Sequence, residues 1–268
     1  MFTKSEIEQF QEEGWVAKAD FWSEHEVKAM QIELERMKDV GLLSNVSTAG
    51  DGKTPDSDNI NLQLCPMYPH SEFYRAMPFS DKAISAVRQL IGDPVVLHLD
   101  QVFLKPGKHG VGTNWHQDNA YFQIENPLKG TAMWTAVHEA TVANGTIHVI
   151  PRSFHEAYEH SRDPNSNHHI RCFPPEDNIV PVELPAGGVA FFAYGVAHCT
   201  LANTTDTERA GVALHFINGD MDGTALGGYE PGKRPYLTGE QASGGLNEHG
   251  VKVADTWEQE VERVLKTV

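Results

Sequence analysis

Six short runs of β-forming residues follow one another after Pro94, and they limit the chain to a small set of folds. The runs are rich in Val, Ile, Phe and Thr, and Gly and Pro separate them. They are residues 95–105, 133–137, 146–150, 180–184, 189–194 and 210–217. Many short strands at this spacing are typical of a β-sandwich or β-barrel. We therefore expect a mainly β core.

Helical signals dominate the residues before this core. Thr3 and Ser23 each have the form of a capping box, followed by apolar residues at helical spacing. Ser80 has the form of an N-cap for a further helix that ends at Gly92. Residues 1–93 are predicted to be mainly helical and to pack outside the β core.

Three polar segments show no periodicity. Residues 48–58, 161–177 and 220–245 are rich in Gly, Pro, Asp, Ser or Asn, and we assign no regular structure to them. The first two are candidate lids over a site, although ordinary exposed loops have the same composition. An amphipathic helix is predicted over 255–266.

The length of 268 residues fits one domain, because all-β domains commonly reach such a size. Hydrophobic residues make up 40% of the chain, which is enough to fill a sizeable core. We expect residues 1–268 to form a single domain with a helical flank (1–93), a β core (94–218) and a C-terminal extension with a helix (219–268).

The net charge of −16 bears on the partners of the protein. Such a charge repels phosphate backbones and anionic membranes, so neither nucleic acid nor a membrane is expected as a partner. The start of the chain lacks the basic and apolar regions of a signal peptide. We expect a cytoplasmic protein that acts on a small molecule, with three reduced cysteines. The oligomeric state is left open.

His116 and Asp118 stand two positions apart in a stretch that resembles a strand. With a side-chain period of two, both side chains can point to the same side of the backbone. One imidazole and one carboxylate supply two-thirds of the 2-His-1-carboxylate triad that binds non-haem Fe(II) with coordination positions left open. In a chain with 14 His, such a pair also arises by chance in a polar turn.

Two further residues complete a recognisable order. His198 follows the run at 189–194, and Arg209 precedes the last β run. With its His-x-Asp pair, its distal His and an Arg one strand further on, the chain resembles the phytanoyl-CoA dioxygenase family of Fe(II)- and 2-oxoglutarate-dependent oxygenases.

The resemblance extends over about residues 59–217. It includes Trp-Thr-Ala at 134–136 and Asn-Gly-Thr-Ile-His-Val-Ile-Pro at 144–151. The family often continues with Pro-Gly-Ser-His, where this chain has Pro-Arg-Ser-Phe-His at 151–155. This difference bears on the mouth of the pocket and therefore on the substrate.

The resemblance implies a double-stranded β-helix, which is a jelly-roll, cupin-like core with flanking helices. It implies Fe(II) held by His116, Asp118 and His198, with 2-oxoglutarate and O2 as co-substrates. The residues implied to bind 2-oxoglutarate or to line its pocket are Arg209, Thr200, Lys105 and Trp134. Arg supplies the planar pair of donors that the distal carboxylate of 2-oxoglutarate requires.

The implied reaction converts 2-oxoglutarate into succinate and CO2 and hydroxylates a C–H bond. The related halogenases have a small residue where this chain has Asp118, so hydroxylation is expected over halogenation. Whether another oxidation such as desaturation results is left open.

Several polar and aromatic residues near the motif are candidates for substrate contacts. They are Asn61, Gln63, Gln101, Asn119, Tyr121 and His155. Asn61 and Gln63 also fit the polar face of an edge strand. Other histidines are expected to be structural or solvated, namely His98, His138, His148, His160, His168 and His169. Cys199, next to His198, is expected to point away from it into the core.

Two alternative functions fit parts of the pattern. A metal-dependent hydrolase could use the same three ligands, but it would leave Arg209 without a purpose. A non-catalytic metabolite-binding β-domain would be expected to lose at least one of the four residues. For the enzyme, a small amino-acid-like, phosphonate-like or secondary metabolite is favoured as substrate. An acyl-CoA thioester is the alternative, but the sequence has no cluster of Lys and Arg for its phosphates.

Overall fold

The computed structural model describes residues 1–221, 234–242, 253 and 255–267. The helices in this part of the chain are α1 (Lys4–Glu13), α2 (Glu24–Asp39), α3 (Glu72–Ala76), α4 (Asp81–Ile91), α5 (Asn119–Phe122) and α6 (Trp257–Leu265). Short 3-10 turns lie at Met77–Phe79, Pro127–Lys129 and Ser153–His155.

The strands form two main antiparallel sheets and a small hairpin. They are β1 (Trp15–Lys18), β2 (Ser44–Asn45), β3 (Leu62–Leu64), β4 (Val95–Lys105), β5 (Thr113–His116), β6 (Gly130–Ala136), β7 (Ile147–Val149), β8 (Ser161–Arg162), β9 (Ile170–Arg171), β10 (Val180–Val182), β11 (Val189–Ala193), β12 (His198–Thr200) and β13 (Arg209–Asn218). The seven-stranded sheet has the order β1-β11-β6-β13-β4-β3-β2, and the four-stranded sheet has the order β10-β7-β12-β5.

The two sheets pack face to face, as the contact between Phe192 of the larger sheet and His198 of the smaller one illustrates. Their ring centroids are 4.4 Å apart. The predicted jelly-roll core is therefore confirmed, and each of the six predicted β runs overlaps a strand. In the larger sheet β6, β11 and β13 are buried at every position, because the smaller sheet packs on one face and helices pack on the other.

The N-terminal flank contains the predicted helices. Thr3 and Ser23 both form complete capping boxes, and Ser80 caps α4 through its side chain. The flank also contributes three short strands that the sequence analysis assigned to a mainly helical region. β1 pairs with β11, and β3 pairs with β4, so both extend the larger sheet. These strands have two to four residues each, which is too short for a detectable alternation.

The C-terminal helix α6 lies against the N-terminal flank. Trp257 donates a hydrogen bond from Nε1 to Oε1 of Glu26 at 2.8 Å, and its ring centroid lies 5.3 Å from that of Trp22. One hydrophobic cluster includes residues from Phe2 to Val264. The two ends of the described chain therefore share a core with the sheets.

The two candidate lids contact each other. Thr48 donates to the backbone carbonyls of Asn165 and Pro164 through its N–H and its hydroxyl. The segment 161–177 contains the hairpin β8–β9, although the sequence analysis assigned no structure to it. Most of the polar segment 220–245 lies outside the described residues.

No helix among the described residues combines the length and the apolar composition that are needed to cross a membrane.

Asp100 of β4 gives the fold a testable dependence on pH. Its carboxyl is buried, and burial raises its pKa from 3.8 to about 7, although backbone N–H groups of Met67 and Tyr68 oppose the shift. Because the folded state holds this proton more tightly, the associated stability is present below about pH 4 and is lost as the pH rises through about 7.

We expect Asp100→Asn to remove this dependence, since the amide has a similar shape and does not ionise in this range. Thermal unfolding should show the melting temperature of the wild type falling relative to that of the variant between about pH 4 and about pH 8. Parallel profiles for the two proteins would contradict the assignment.

Candidate metal centre and co-substrate pocket

The structure brings His116, Asp118 and His198 together. His116 is the last residue of β5, and His198 is its direct partner on β12 in the antiparallel register. The Nε2 atoms of both histidines lie 3.8 Å from Oδ1 of Asp118. One ligand atom from each residue lies within 4.8 Å of the others.

The backbone conformation that places Asp118 in this cluster differs from the expected one. The sequence analysis placed His116 and Asp118 on one strand, but the strand ends at His116. Asp118 has helical backbone angles (φ −57°, ψ −32°) and precedes the turn α5. The change from strand to helical turn, not a period of two, directs the carboxylate to the imidazoles.

Both imidazoles are prepared to bind a metal through Nε2. Nδ1 of His116 lies 2.9 Å from the carbonyl of Asn114, and Nδ1 of His198 lies 2.9 Å from that of Val196. A carbonyl only accepts, so each Nδ1 carries the proton and each Nε2 has a free lone pair. Burial lowers the pKa of both rings to about 4, which keeps them neutral. Two neutral imidazoles and one carboxylate fit a ferrous ion.

A cavity of about 340 Å³ adjoins this cluster. Its walls come from both sheets, from α5 and from the β8–β9 hairpin. Besides the three cluster residues, the described lining comprises Asn61, Gln63, Cys65, Leu99, Gln101, Phe103, Lys105, Thr113, Tyr121, Phe122, Trp134, Ile147, His168, His169, Phe192, Cys199, Thr200, Arg209, Ala213 and His215.

Two buried cations lie side by side at one end of the cavity. Arg209 and Lys105 are each 1% exposed and are direct partners in the pairing of β13 with β4. Burial lowers the pKa of Arg209 to about 10, and burial together with Arg209 lowers that of Lys105 well below its usual value. In the described residues no carboxylate lies within ion-pair distance of either. A dianion fits this end of the cavity.

Trp134 and Gly211 hold the guanidinium of Arg209 in place. The centre of the guanidinium lies 5.3 Å from the Trp134 ring centroid, as in a cation–π contact. A Cβ atom at Gly211 would lie only 2.3 Å from that ring, so the indole needs a glycine there. Thr200 accepts a hydrogen bond from the N–H of Thr113, which leaves its own hydroxyl proton available to a ligand.

Four of the six candidate substrate residues line the cavity, namely Asn61, Gln63, Gln101 and Tyr121. The other two do not. Asn119 uses its amide locally, accepting from the N–H of Ile124 and donating to its carbonyl. His155 is exposed and stacks on Phe154, away from the cavity. Proximity in sequence to the motif was an insufficient guide for these two, because α5 and the 3-10 turn change the side-chain direction.

Several lining residues were missed or assigned another place. His168 and His169 belong to the lining because the β8–β9 hairpin carries them there. Cys199 was expected in the core but borders the cavity, where burial raises its thiol pKa to about 12. His215 was not singled out at all. A signal for it existed, since it shares the face of Arg209 and Ala213 under the strand period of two.

A second cavity of about 360 Å³ continues from the first, and the two share Asn61, Thr113, His169 and Thr200. Its described lining is mostly polar, with Asp56 and Asp163 as its charged residues. Neither Lys nor Arg belongs to this part of the described lining.

The phytanoyl-CoA dioxygenase (PhyH) family model matches residues 10–211. The chain belongs to this family. The resemblance seen in the sequence is thereby confirmed. The matched residues include the cluster of His116, Asp118 and His198, and also Arg209.

Relatives in the family carry two kinds of name. An ectoine dioxygenase of Stutzerimonas stutzeri is 22% identical over 258 residues, which cover 88% of this chain and 83% of that protein. A probable phytanoyl-CoA dioxygenase of Caenorhabditis elegans is 28% identical over 152 residues, which cover 52% of this chain and 48% of that protein.

Solved structures share the fold. The epimerase SnoN from nogalamycin biosynthesis, in complex with Fe3+ and alpha ketoglutarate, aligns with a TM-score of 0.70 and 19% identity over 89% of this chain and 94% of its own. EctD from S. alaskensis, with 2-oxoglutarate and 5-hydroxyectoine, aligns with a TM-score of 0.63 and 19% identity over 81% and 76% of the two chains.

Two histidines on adjacent strands, His198 on β12 and His148 on β7, test which side chains bind the metal. We expect His198→Ala to lower the affinity for Fe(II) by more than about 100-fold, which exceeds the ~10–100-fold typical of residues that only orient ligands. The measurement is an anaerobic Fe(II) titration of the apoprotein.

The matched control is His148→Ala. His148 is a buried histidine on β7, paired with Cys199 beside His198, but outside the cluster. The His148→Ala variant should therefore bind Fe(II) as tightly as the wild type does. Equal losses in the two variants would refute the ligand assignment.

Proposed function

We propose that this protein is an Fe(II)- and 2-oxoglutarate-dependent dioxygenase that hydroxylates a C–H bond of a small metabolite. The observation that carries the proposal is the pairing, in one cavity, of a buried two-imidazole, one-carboxylate cluster with two buried cations that have no carboxylate partner in the described chain. The cluster suits a ferrous ion, and the cations suit a dicarboxylate.

The roles of the residues follow from this geometry. His116, Asp118 and His198 would hold the iron, because the Nε2 atoms of both histidines converge on Oδ1 of Asp118. Arg209 would present parallel donors to the distal carboxylate of 2-oxoglutarate, and Lys105 and Thr200, which line the same cavity, would assist.

Iron and 2-oxoglutarate, when bound, supply the oxidising chemistry, in which O2 is consumed, 2-oxoglutarate becomes succinate and CO2, and a C–H bond becomes C–OH. The protein orients the substrate and limits access of water. Apolar and aromatic walls, including Phe103, Tyr121, Phe122 and Phe192, fit this second task. Asp118 occupies the position that would be small in a halogenase, so hydroxylation is the proposed outcome.

Anaerobic addition of Fe(II) and 2-oxoglutarate to the folded apoprotein should produce a visible charge-transfer band. Each component alone should not. Absence of the band from a folded, iron-loaded sample would rule out the proposed co-substrate and would favour the hydrolase alternative, which needs no 2-oxoglutarate.

Substitutions at Arg209 test how 2-oxoglutarate binds. Arg209→Ala should weaken its binding by roughly 30-fold or more, as for loss of one partner in a buried charge pair, while Fe(II) still binds. Arg209→Lys retains a charge but not the planar fork, so its loss should be intermediate. Both are read from titrations of the band. Unchanged affinity in Arg209→Ala would contradict the role.

For the substrate, we propose a small metabolite that is neutral or cationic. Apart from Lys105 and Arg209, which are assigned to the co-substrate, the described lining of both cavities lacks Lys and Arg. The second cavity offers Asp56 and Asp163. These features disfavour an acyl-CoA thioester, whose phosphates need cations.

A succinate-release screen tests this preference with sets of related compounds. Neutral and cationic metabolites, including cyclic amino-acid derivatives and amino-sugar-bearing scaffolds, should give turnover above the uncoupled rate. Phosphonates and acyl-CoA thioesters should not. Turnover of an acyl-CoA and of no small metabolite would overturn the substrate class while leaving the reaction class intact.

We also propose that residues 1–268 act as one domain, which the shared hydrophobic cluster supports. The cytoplasmic location stays a prediction.

A further inference from the structure

Two buried polar atoms face each other beside the metal cluster, and neither has a hydrogen-bond partner among the described residues. They are Oδ2 of Asp118 and Nδ1 of His215, and they lie 3.6 Å apart. Oδ1 of the same carboxylate faces the two ligand imidazoles. The carboxylate thus directs one oxygen to the metal position and the other to His215.

The other nitrogen of His215 begins a chain of amides along the cavity wall. Nε2 of His215 lies 3.1 Å from Nε2 of Gln101. Oε1 of Gln101 accepts a hydrogen bond from Nε2 of Gln63 at 2.8 Å. The chain links β13, β4 and β3, which are adjacent strands of the larger sheet.

The direction of this chain fixes the tautomer of His215. Because the Gln101 oxygen is used by Gln63, its amide nitrogen faces the ring, and Nε2 of His215 must accept. The proton of the neutral ring is then on Nδ1, where it points to the Asp118 carboxylate. With both amides reversed, Nε2 would carry the proton and a bare Nδ1 would face a carboxylate oxygen, which is repulsive. The carboxylate therefore selects the observed direction.

The imidazole of His215 has little freedom to turn away. Ring centroids of Phe122 and Tyr194 lie 5.5 Å and 5.9 Å from that of His215, and its side chain is 4% exposed. A shift of about 0.5 Å would bring Nδ1 and Oδ2 into the ~2.7–3.2 Å range of a hydrogen bond.

We propose that His215 is a positioning residue that reserves Oδ2 of Asp118, so that the carboxylate offers the metal Oδ1 alone. The inference rests on the proposed function. A carboxylate that used both oxygens would occupy one more coordination position of the metal, in competition with 2-oxoglutarate or O2. Gln101 and Gln63 act through His215 by holding its proton on Nδ1.

The same chain runs along the cavity wall from the Asp118 carboxylate to Gln63. Gln63 is its outer end, and Oε1 of Gln63 is buried with no partner in the described residues. Gln63 and Gln101 were predicted as separate substrate contacts, and His215 was not predicted. The structure joins the three side chains in one row of polar contacts.

The experiment measures metal binding without turnover. Apoprotein is titrated with Co(II), whose visible spectrum reports coordination, and anaerobically with Fe(II). We expect His215→Leu to weaken both affinities by about 10–100-fold and to change the Co(II) spectrum, as for other groups that orient a metal ligand. His215→Asn places an amide N–H near the position of Nδ1 and should bind within about threefold of the wild type.

Gln101→Met tests the role of the glutamines, because Met has about the volume of Gln but cannot donate a hydrogen bond to Nε2 of His215. Its metal affinity should fall by several-fold, less than that of His215→Leu. Circular dichroism and thermal unfolding establish that each variant is folded, and the asparagine and methionine variants carry the test if the leucine variant is not.

The outcomes separate this inference from the proposed function. A wild type that binds neither metal would overturn the proposed function itself. A wild type that binds, with His215→Leu giving the same affinity and spectrum, would overturn only the role of His215. If His215→Asn were as weak as His215→Leu, the donor role would be wrong, and unchanged binding by Gln101→Met would refute the role of the glutamines.

Discussion

Buried charge without a protein counter-charge is the constraint on which this structure depends. Arg209 and Lys105 are almost fully buried next to each other, and each is partnered in the described chain by backbone carbonyls and not by a carboxylate. Asp118 is buried in the same cavity. Isolated charges in such a place are costly to the fold, and the cost falls when a ligand of opposite charge binds. The cavity therefore favours an anion at one end and a metal cation at the other.

Sheet register sets the spacing of these charges. The pairing of β13 with β4 places Arg209 opposite Lys105, and the pairing of β12 with β5 places His198 opposite His116. These positions lie on two different sheets, so the distance between the cations and the metal cluster depends on how the sheets face each other. The helices of the flank and α6 share a hydrophobic core with the larger sheet.

The polar residues of the cavity are organised by the same register. Alternate residues of β13 face inward, so Arg209, Ala213 and His215 point to one cavity while the intervening residues enter the core. Gln101 on β4 and Gln63 on β3 extend this inward face across the larger sheet. Arg209, His215 and the two glutamines are thus parts of one surface, and a change in register of one strand would disrupt all of their proposed roles.

The amino-acid sequence by itself determined the fold class, the family and four residues that the structure brings into one cavity, because short β-forming runs and an ordered His-x-Asp, His and Arg pattern are local or linear signals. It determined neither the turn that directs Asp118 to the imidazoles nor the place of His168 and His169 in the cavity, which needs the β8–β9 hairpin.

Asn119 and His155 show the limit of arguing from proximity in sequence, since both are near the motif and neither lines the cavity. His215 shows the converse: it lies far along the chain from Asp118, and only the tertiary structure places its Nδ1 against the carboxylate. The physical reason is that strand period predicts which face a residue occupies, whereas the partner across that face is decided by how the sheets and turns pack.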